Sequence, residues 1–343
     1  MVDSQKLTLF CKKALIKAGV NSKIASNIAS SLVLTSLRGV DSHGIRLLPH
    51  YINAVRIGRI NPNPKYRFRF KKQTAGLMDA KDGFGIDAGI AAMRKAMSLA
   101  RKSGVAAIGV YNSSHFGAAA IYGLEAAKNG LIGLAFTSTD SLVIPTNGRR
   151  PYLGTNPICF CAPIQNEGPF CLDMATSVVP LNKIMNYKSK GQNLEPGWAV
   201  DARGKPTINA SDAAWLLPFG GYKGFGLEVM VEILSSILTG MNFGRHIVKM
   251  YPLTGRKRQL GHFFVAININ SFIPLAKFKK NLKAMCDELR NEPAFVKSRR
   301  VVVPGDPEKK YFVIRSREGI PMAQPLVAEF RQLAEELGLK TGF

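Results

Sequence analysis

The sequence predicts an α/β fold, with helical segments at both ends of the chain and a mixed stretch of helices and strands between them. Three observations lead there. Apolar residues recur at helical spacing through the first 60 residues. From about residue 73 short apolar runs alternate with helical stretches, and helical spacing returns at 274–291 and 325–337. The corresponding division is an N-terminal helical domain of residues 1–72, joined by C-terminal helices within 275–343, and an α/β domain of residues 73–274.

The first helix is read over 4–18, where positions 7, 10, 11, 14, 15 and 18 form one apolar stripe and Ser4 serves as N-cap. A second starts after Asn21, runs to Leu37 and stops at Gly39. A third is expected from the Asp41-Ser42-His43-Gly44 segment to Ile57, closed by Gly58. Residues 65–71 alternate basic and aromatic side chains strictly, the pattern of a strand with one packed and one solvated face. A helix over 87–102, a buried strand over 105–111, a helix ending at Lys128 and a strand over 131–137 follow. Loops rich in Pro and Gly fill 145–157 and 163–169, a short strand covers 170–174, and 188–222 is loop-rich. An apolar helix over 226–238 is stopped by Gly240, and a strand over 262–269 precedes the terminal helices.

Bulk composition excludes several classes. With 46% apolar residues in 343, the chain can build a large core and is not disordered. Lys and Arg number 47 against 23 Asp and Glu, a net charge of +24 that invites nucleic acid, an anionic membrane or acidic small molecules. The 65–71 segment is the strongest nucleic-acid feature. Its alternation, however, puts Tyr66, Phe68 and Phe70 on the face opposite the cations, and a stacking platform needs them together. Nucleic acid is therefore not the expected partner. The apolar run at 227–241 contains Glu228 and Glu232 and is too short to span a bilayer, and the N-terminus lacks a signal-peptide core. Five cysteines without a CxxC predict neither a disulfide framework nor a metal site, and a cytoplasmic location is expected.

Several segments could carry chemistry. Residues 83–89 read GxGxxxG rather than GxGxxG, and no acidic residue follows about 20 positions on, so a tight turn into a helix accounts for these glycines. In GGYKGFG at 220–226, glycines surround Lys223 at a helix start, which suits a phosphate and equally a structural turn. His43 lies in DSHG with Arg46 close behind. His115 lies between a buried strand and a helix, where a helix N-terminus disfavours imidazolium and leaves the ring able to act as a base. A structural role is open for each; His50, His246 and His262 are read as structural or surface residues. Asp173, at a strand end, suits a ribose hydroxyl pair or an N-cap. Gly154-Thr155-Asn156-Pro157 is a rigid polar turn.

In order along the chain, DSHGIRLLPHY, NSSHFG, YLGTNPICF, FCLDMATS, PGWAVDARGKPT, LLPFGGYKGFGLEVMVEIL and LTGMNFGR closely resemble the type-2 malate/L-lactate dehydrogenase family. That family includes ureidoglycolate, sulfolactate and 2,3-diketogulonate oxidoreductases and cyclic-imine carboxylate reductases. The resemblance covers nearly the whole chain, and the stretch from LLPFGGYKGFGL to GRKRQLGH is most similar to ureidoglycolate dehydrogenases. It implies a non-Rossmann nicotinamide-binding core in the 73–274 domain and a homodimer; the expected cofactor is NAD or NADP, with NAD slightly preferred. By motif, His115 is similar to the acid/base residue of the ureidoglycolate branch and His43 to the proton donor of the diketogulonate branch. The residues do not choose between them. Asp173, Met174 and Ala175 match a cofactor-contacting DMA segment, and Lys223 with Gly224 match a KG pair. Thr139 falls where a cofactor-binding Ser stands, and Gly305 and Asp306 fall near another cofactor contact. Three places depart: Leu47 stands where many members have Arg, with Arg46 one residue earlier; Asn182 replaces a Gly; and Asn209-Ala210-Ser211 alters the run before LLP.

The expectation is an NAD(P)-dependent oxidoreductase moving a hydride between nicotinamide and a small 2-hydroxy or 2-keto carboxylic acid of the malate, lactate, sulfolactate or ureidoglycolate type. His115 or His43 would take the hydroxyl proton, while Ser42, Arg46 and the backbone near Asn156 would hold the carboxylate. Reduction of a cyclic C=N bond beside a carboxylate is the near alternative. A basic nucleic-acid-binding protein on a degenerate enzyme scaffold is the distant one.

Overall fold

The computed structural model describes residues 1–342. The first helix, α1 (Ser4–Lys17), is capped by Asp3 rather than Ser4: Asp3 Oδ1 accepts from the Gln5 and Lys6 amides at 2.9 Å each. Asn21 caps α2 (Ser22–Leu37) in the same way. The third helix starts later than expected. The chain first makes two 3₁₀ turns, Asp41–His43 and Ile45–Leu47, and only then α3 (Leu48–Arg56). The break falls at Gly44, which presses so closely on α2 that a Cβ would lie 2.0 Å from Ser36 Oγ. A long-range contact, not local propensity, sets the geometry of the DSHG segment.

Beyond it come β1 (Arg67–Phe70), β2 (Ala75–Asp79), α4 (Gly85–Ser103), β3 (Val105–Ser113), α5 (Ala120–Lys128), β4 (Leu131–Thr137), β5 (Ile158–Ala162) and β6 (Phe170–Met174). Tyr66, just before β1, and Phe68 on it pack toward the core and Arg67 and Arg69 face solvent, but Phe70, at the sheet edge, is exposed beneath the Lys95 ammonium. Next are α6 (Leu181–Ser189), the two-residue strands β7 (Ala199–Val200), β8 (Pro206–Thr207) and β9 (Trp215–Leu216), and α7 (Tyr222–Glu232). The stretch read as loop thus holds a three-stranded sheet of order β8-β7-β9 with its own small core around Trp198 and Leu216. α7 begins four residues before the expected Gly226 and ends in a π-helical turn, Ile233–Ile237. The chain closes with β10 (Leu260–Asn268), α8 (Leu275–Asn291), α9 (Asp306–Glu318) and α10 (Gln324–Glu336).

The main sheet has the order β1-β2-β3-β10-β4-β5-β6. Only β2 and β3 are parallel; every other neighbour is antiparallel. That topology differs from the parallel open sheet of a dinucleotide fold and agrees with the failed GxGxxG pattern. One continuous core joins Leu7, Ile28, Leu32 and Tyr51 of the N-terminal helices to Ile108, Val110 and Phe264 of the sheet, and to Phe330 and Leu333 of α10.

Candidate active site

A cavity of about 1990 Å³ opens where the two 3₁₀ turns, the segment after β3 and the end of β6 converge. His115 reaches it from the 114–119 segment. Ser114 pins that segment by accepting from the Gly85 amide at 3.0 Å and donating to the Gly83 carbonyl at 2.9 Å. Gly85 is needed for this approach, because a Cβ there would lie 2.2 Å from the Ser114 carbonyl. Gly85 thus lets α4 approach the backbone before His115, while Gly89 lets the same helix approach the Tyr122 ring.

His43 arrives from the first 3₁₀ turn, which α9 clamps from outside: Arg315 donates to both Asp41 oxygens at 2.6 and 2.9 Å and to the Ser36 carbonyl at 2.5 Å. The His43 and His115 rings stack with centroids 5.7 Å apart. Each Nδ1 already has a partner: Ser42 Oγ for His43 and Tyr51 Oη for His115, both at 2.8 Å. Each Nε2 has no protein partner among the described residues and is available to a ligand. Burial lowers the pKa of both rings, and for His115 the neighbouring His43 adds to it, so both are neutral at physiological pH.

Cations ring this pocket. Arg46 lines the cavity and is exposed to it, with Leu47 buried beneath. The tight turn after Gly44, not an α-helix, presents Arg46 from its shifted position. Lys249 and Arg258 line the same wall; Arg258 is buried against Asp140 at 2.5 Å and donates to the Val248 carbonyl at 3.0 Å. His50, read as structural or surface from sequence, also faces the cavity. Burial, then Arg59 and Arg258, brings its pKa down to about 4. His262 lies behind the site with both ring nitrogens satisfied, by Thr137 Oγ1 at 2.7 Å and Ser113 Oγ at 2.8 Å.

The other half of the cavity is walled by Thr139, Thr155, Asp173, Met174, Ala175 and Gly305. Asp173 Oδ2 accepts from the Ala120 amide at the start of α5 at 2.8 Å, while Oδ1 has no protein partner among the described residues. Desolvation between the walls of the cleft raises its pKa to about 7. Thr139 Oγ1 accepts from the Thr155 amide at 2.8 Å. Compact ligand pockets measure about 300–1,000 Å³, and this cavity is larger. A small acid near the imidazoles leaves room for a dinucleotide along β6, with Asp173 Oδ1 free to accept from ribose hydroxyls.

Four sequence candidates stand away from this wall. Asn156 is fully buried. It accepts from the Thr139 amide at 3.1 Å and donates to Glu232 Oε2 at 2.7 Å and the Glu228 carbonyl at 3.1 Å, tying the cofactor-side loop to α7. Lys223 is exposed and Gly224 buried in the first turn of α7, past the cavity-lining Phe219. Asp306, matched to a place near a cofactor contact, opens α9, and its carboxylate is held by Arg290 at 2.7 and 2.9 Å. The residues that sequence reasoning missed are Tyr51, Asp140, Lys249, Arg258 and Arg315. The first four face or support the cavity from separate elements with no shared spacing. Helix α9 did have a sequence signal: Pro307 in the first turn, Asp306 and Glu308 beside it, and Arg315 and Arg317 in the last turn.

A family model described as malate/L-lactate dehydrogenase matches residues 2–331. The chain is 35% identical to a malate dehydrogenase of Pyrococcus abyssi over 99% of this chain and 95% of that protein. It is 32% identical to an NAD(+) ureidoglycolate dehydrogenase of Escherichia coli O157:H7 over 84% and 82% of the two chains. The solved structure of malate dehydrogenase from Entamoeba histolytica superposes with a TM-score of 0.94 at 33% identity, covering 100% of this chain and 99% of that one.

Proposed function

The chain belongs to the malate/L-lactate dehydrogenase family, and from that premise we propose that it transfers a hydride between NAD and a small 2-hydroxy or 2-keto carboxylic acid. The observation that carries the reading is the pairing, in one cavity, of two neutral imidazoles with free Nε2 atoms and the Arg46 guanidinium. Arg46 and Ser42 hold the carboxylate by charge-assisted and neutral hydrogen bonds, fixing the carbon that reacts. His115 Nε2 takes the hydroxyl proton during oxidation and returns it during reduction, and His43, stacked on it, is the alternative base. Nicotinamide supplies the hydride chemistry when bound; Asp173, Met174, Ala175, Thr139 and Gly305 form the wall that would hold it. Relatives named for NAD(+) and for NADP(+) support a nicotinamide cofactor, and NAD is the one proposed first.

Reduction of a cyclic imine beside a carboxylate would use the same groups and remains the second reading. Nucleic acid has no place in either. A homodimer is part of the proposal, supported by an apolar outer face on α7. A reducing, cytoplasmic setting is supported by five free, buried cysteines.

The test is a panel of oxaloacetate, pyruvate, sulfopyruvate, ureidoglycolate and a cyclic imine carboxylate, with NADH and NADPH or the oxidised forms, followed by nicotinamide absorbance. One acid should turn over. His115→Ala should then lower kcat about 10²–10⁴-fold while NADH still binds by fluorescence. Unchanged turnover in both His115→Ala and His43→Ala would overturn the mechanism.

A further inference from the structure

Three of the five cysteines meet on one face of the sheet. Cys161 on β5 stands directly opposite Cys171 on β6, and Cys159 stands opposite Asp173. Opposed residues of an antiparallel pair, and residues two apart on one strand, project to the same face. The side chains therefore form a square of three thiols and one carboxyl. Cys159 Sγ lies 3.7 Å from Cys161 Sγ, and Cys171 is in hydrogen-bond contact with both. Helix α5 covers the square with Gly123, where a Cβ would fall 2.7 Å from Cys161 Sγ and 2.8 Å from Cys159 Sγ. The sulfurs fill the space a side chain would take.

The three thiols are not equally accessible. Cys159 and Cys161 are 0% exposed, whereas Cys171, buried at 4% exposure, lies in the cavity wall. We propose that this cluster is a redox-modification site, in which a hydroperoxide entering the cavity oxidises Cys171 and Cys161 then closes a disulfide with it. The Cys171 sulfur attacks the O–O bond, which breaks to give a sulfenic acid and release water or an alcohol. The Cys161 sulfur displaces the sulfenic oxygen as water and forms the S–S bond. In sum two thiols lose their hydrogens and one hydroperoxide is reduced.

Strand geometry selects this pair. Directly opposed residues have Cα atoms about 4.5–5.5 Å apart, within the range of about 4.4–6.8 Å that a disulfide accepts. Cys159 and Cys161, two apart on one strand, are separated by about 6.8 Å, at the limit of that range. Cys159 and Cys171 are diagonal neighbours and further apart still.

Closing the bond alters the wall on which the cofactor would lie. The Cys171 amide donates to the Pro304 carbonyl at 3.2 Å, the Cβ position of Gly305 lies 3.2 Å from Cys171 Cβ, and Asp173 is two residues further along β6. Drawing the sulfurs to about 2.05 Å shifts β6 toward β5 and disturbs both contacts. This consequence rests on the cofactor reading above; the disulfide itself does not.

The experiment treats the full-length chain with hydrogen peroxide, alkylates the remaining thiols in denaturant and maps the peptides by mass spectrometry. One linked pair, Cys161–Cys171, is expected, with Cys11, Cys159 and Cys286 still alkylated and full reversal by dithiothreitol. NADH binding should be lost on oxidation and regained on reduction. In Cys161→Ser no link forms, and Cys171 persists as a sulfenic acid captured by dimedone. A Cys159–Cys161 link, or oxidation of Cys11 or Cys286 ahead of Cys171, would overturn the proposal, and neither outcome depends on a variant that folds. Equal NADH affinity of the oxidised and reduced chains would overturn the coupling to the cofactor wall. Failure of the reduced chain to bind NADH at all would instead count against the dehydrogenase reading, while the peptide map still decides the disulfide.

Discussion

Tyr51 fixes the His115 ring through a single hydroxyl. With Nδ1 engaged to Tyr51 Oη at 2.8 Å, the tautomer that leaves the Nε2 lone pair free places the proton on Nδ1, donated to the phenolic oxygen. Tyr51 is fully buried and cannot follow a misplaced ring. Tyr51→Phe removes the acceptor and leaves a buried N–H unpaired. Its kcat should fall about tenfold, equivalent to about 1.4 kcal/mol, with a smaller change in KM. The pH profile adds an independent check. A base must be unprotonated, and burial and His43 lower the pKa of His115. For oxidation of the hydroxy acid, kcat/KM should therefore be level through neutrality and fall only below about pH 6.5, the usual histidine value. An acid limb above that value, or Tyr51→Phe at wild-type kcat, would remove Tyr51 and His115 from these roles. His43, His115 and Asp173 were legible in the sequence because each sits in a short local pattern at an element boundary. Tyr51 was not, since its partner is 64 positions away.

At the scale of elements, α7 has inverted polarity. Its inward side carries Glu228 and Glu232, both buried, Glu228 beside the Thr176 hydroxyl and Glu232 held by Asn156 and the Gly244 amide. Its outward side, continued by the π turn, exposes Leu227, Met230, Ile233 and Ile237 at intervals of three and four residues; Ile233 is 50% exposed and Ile237 52%. A stripe of that kind on a helix is where a second copy would dock. Ile233→Glu combined with Ile237→Glu should convert a dimer to a monomer in light scattering. A monomeric wild-type chain would remove the homodimer from the proposal, and a variant that remains dimeric would place the interface elsewhere. The same element shows why local reading falls short. The apolar run announced a helix, but its π turn is shaped against β10, where a Cβ on Gly261 would lie 1.7 Å from the Ser235 carbonyl. The DSHG segment was read as helix for the same reason, since nothing within four residues of Gly44 reveals that Ser36 lies against it.

At the scale of the whole molecule, the charge of +24 remains the least local property. The structure gives part of it a direction: Arg46 and Lys249 are exposed at the cavity, with Arg258 behind them. Arg258 is neutralised by Asp140, which leaves Arg46 and Lys249, with Arg38 on the Asp173 side, as the field that an approaching anion meets. Cationic walls of this kind raise the local concentration of small anions and speed their encounter. Salt shortens the range of that field, from a Debye length of about 10 Å at 0.1 M to about 3 Å at 1 M. The KM for a dicarboxylate should therefore rise several-fold, and kcat/KM fall, as ionic strength increases across that span. Because kcat follows events after binding, it should hold nearly constant. Lys249→Ala should flatten the dependence without abolishing turnover. A kcat/KM that ignores salt would mean that the excess charge does not act on the substrate. Its purpose would then lie on the surfaces away from the cavity, and steady-state kinetics at graded salt decides between the two.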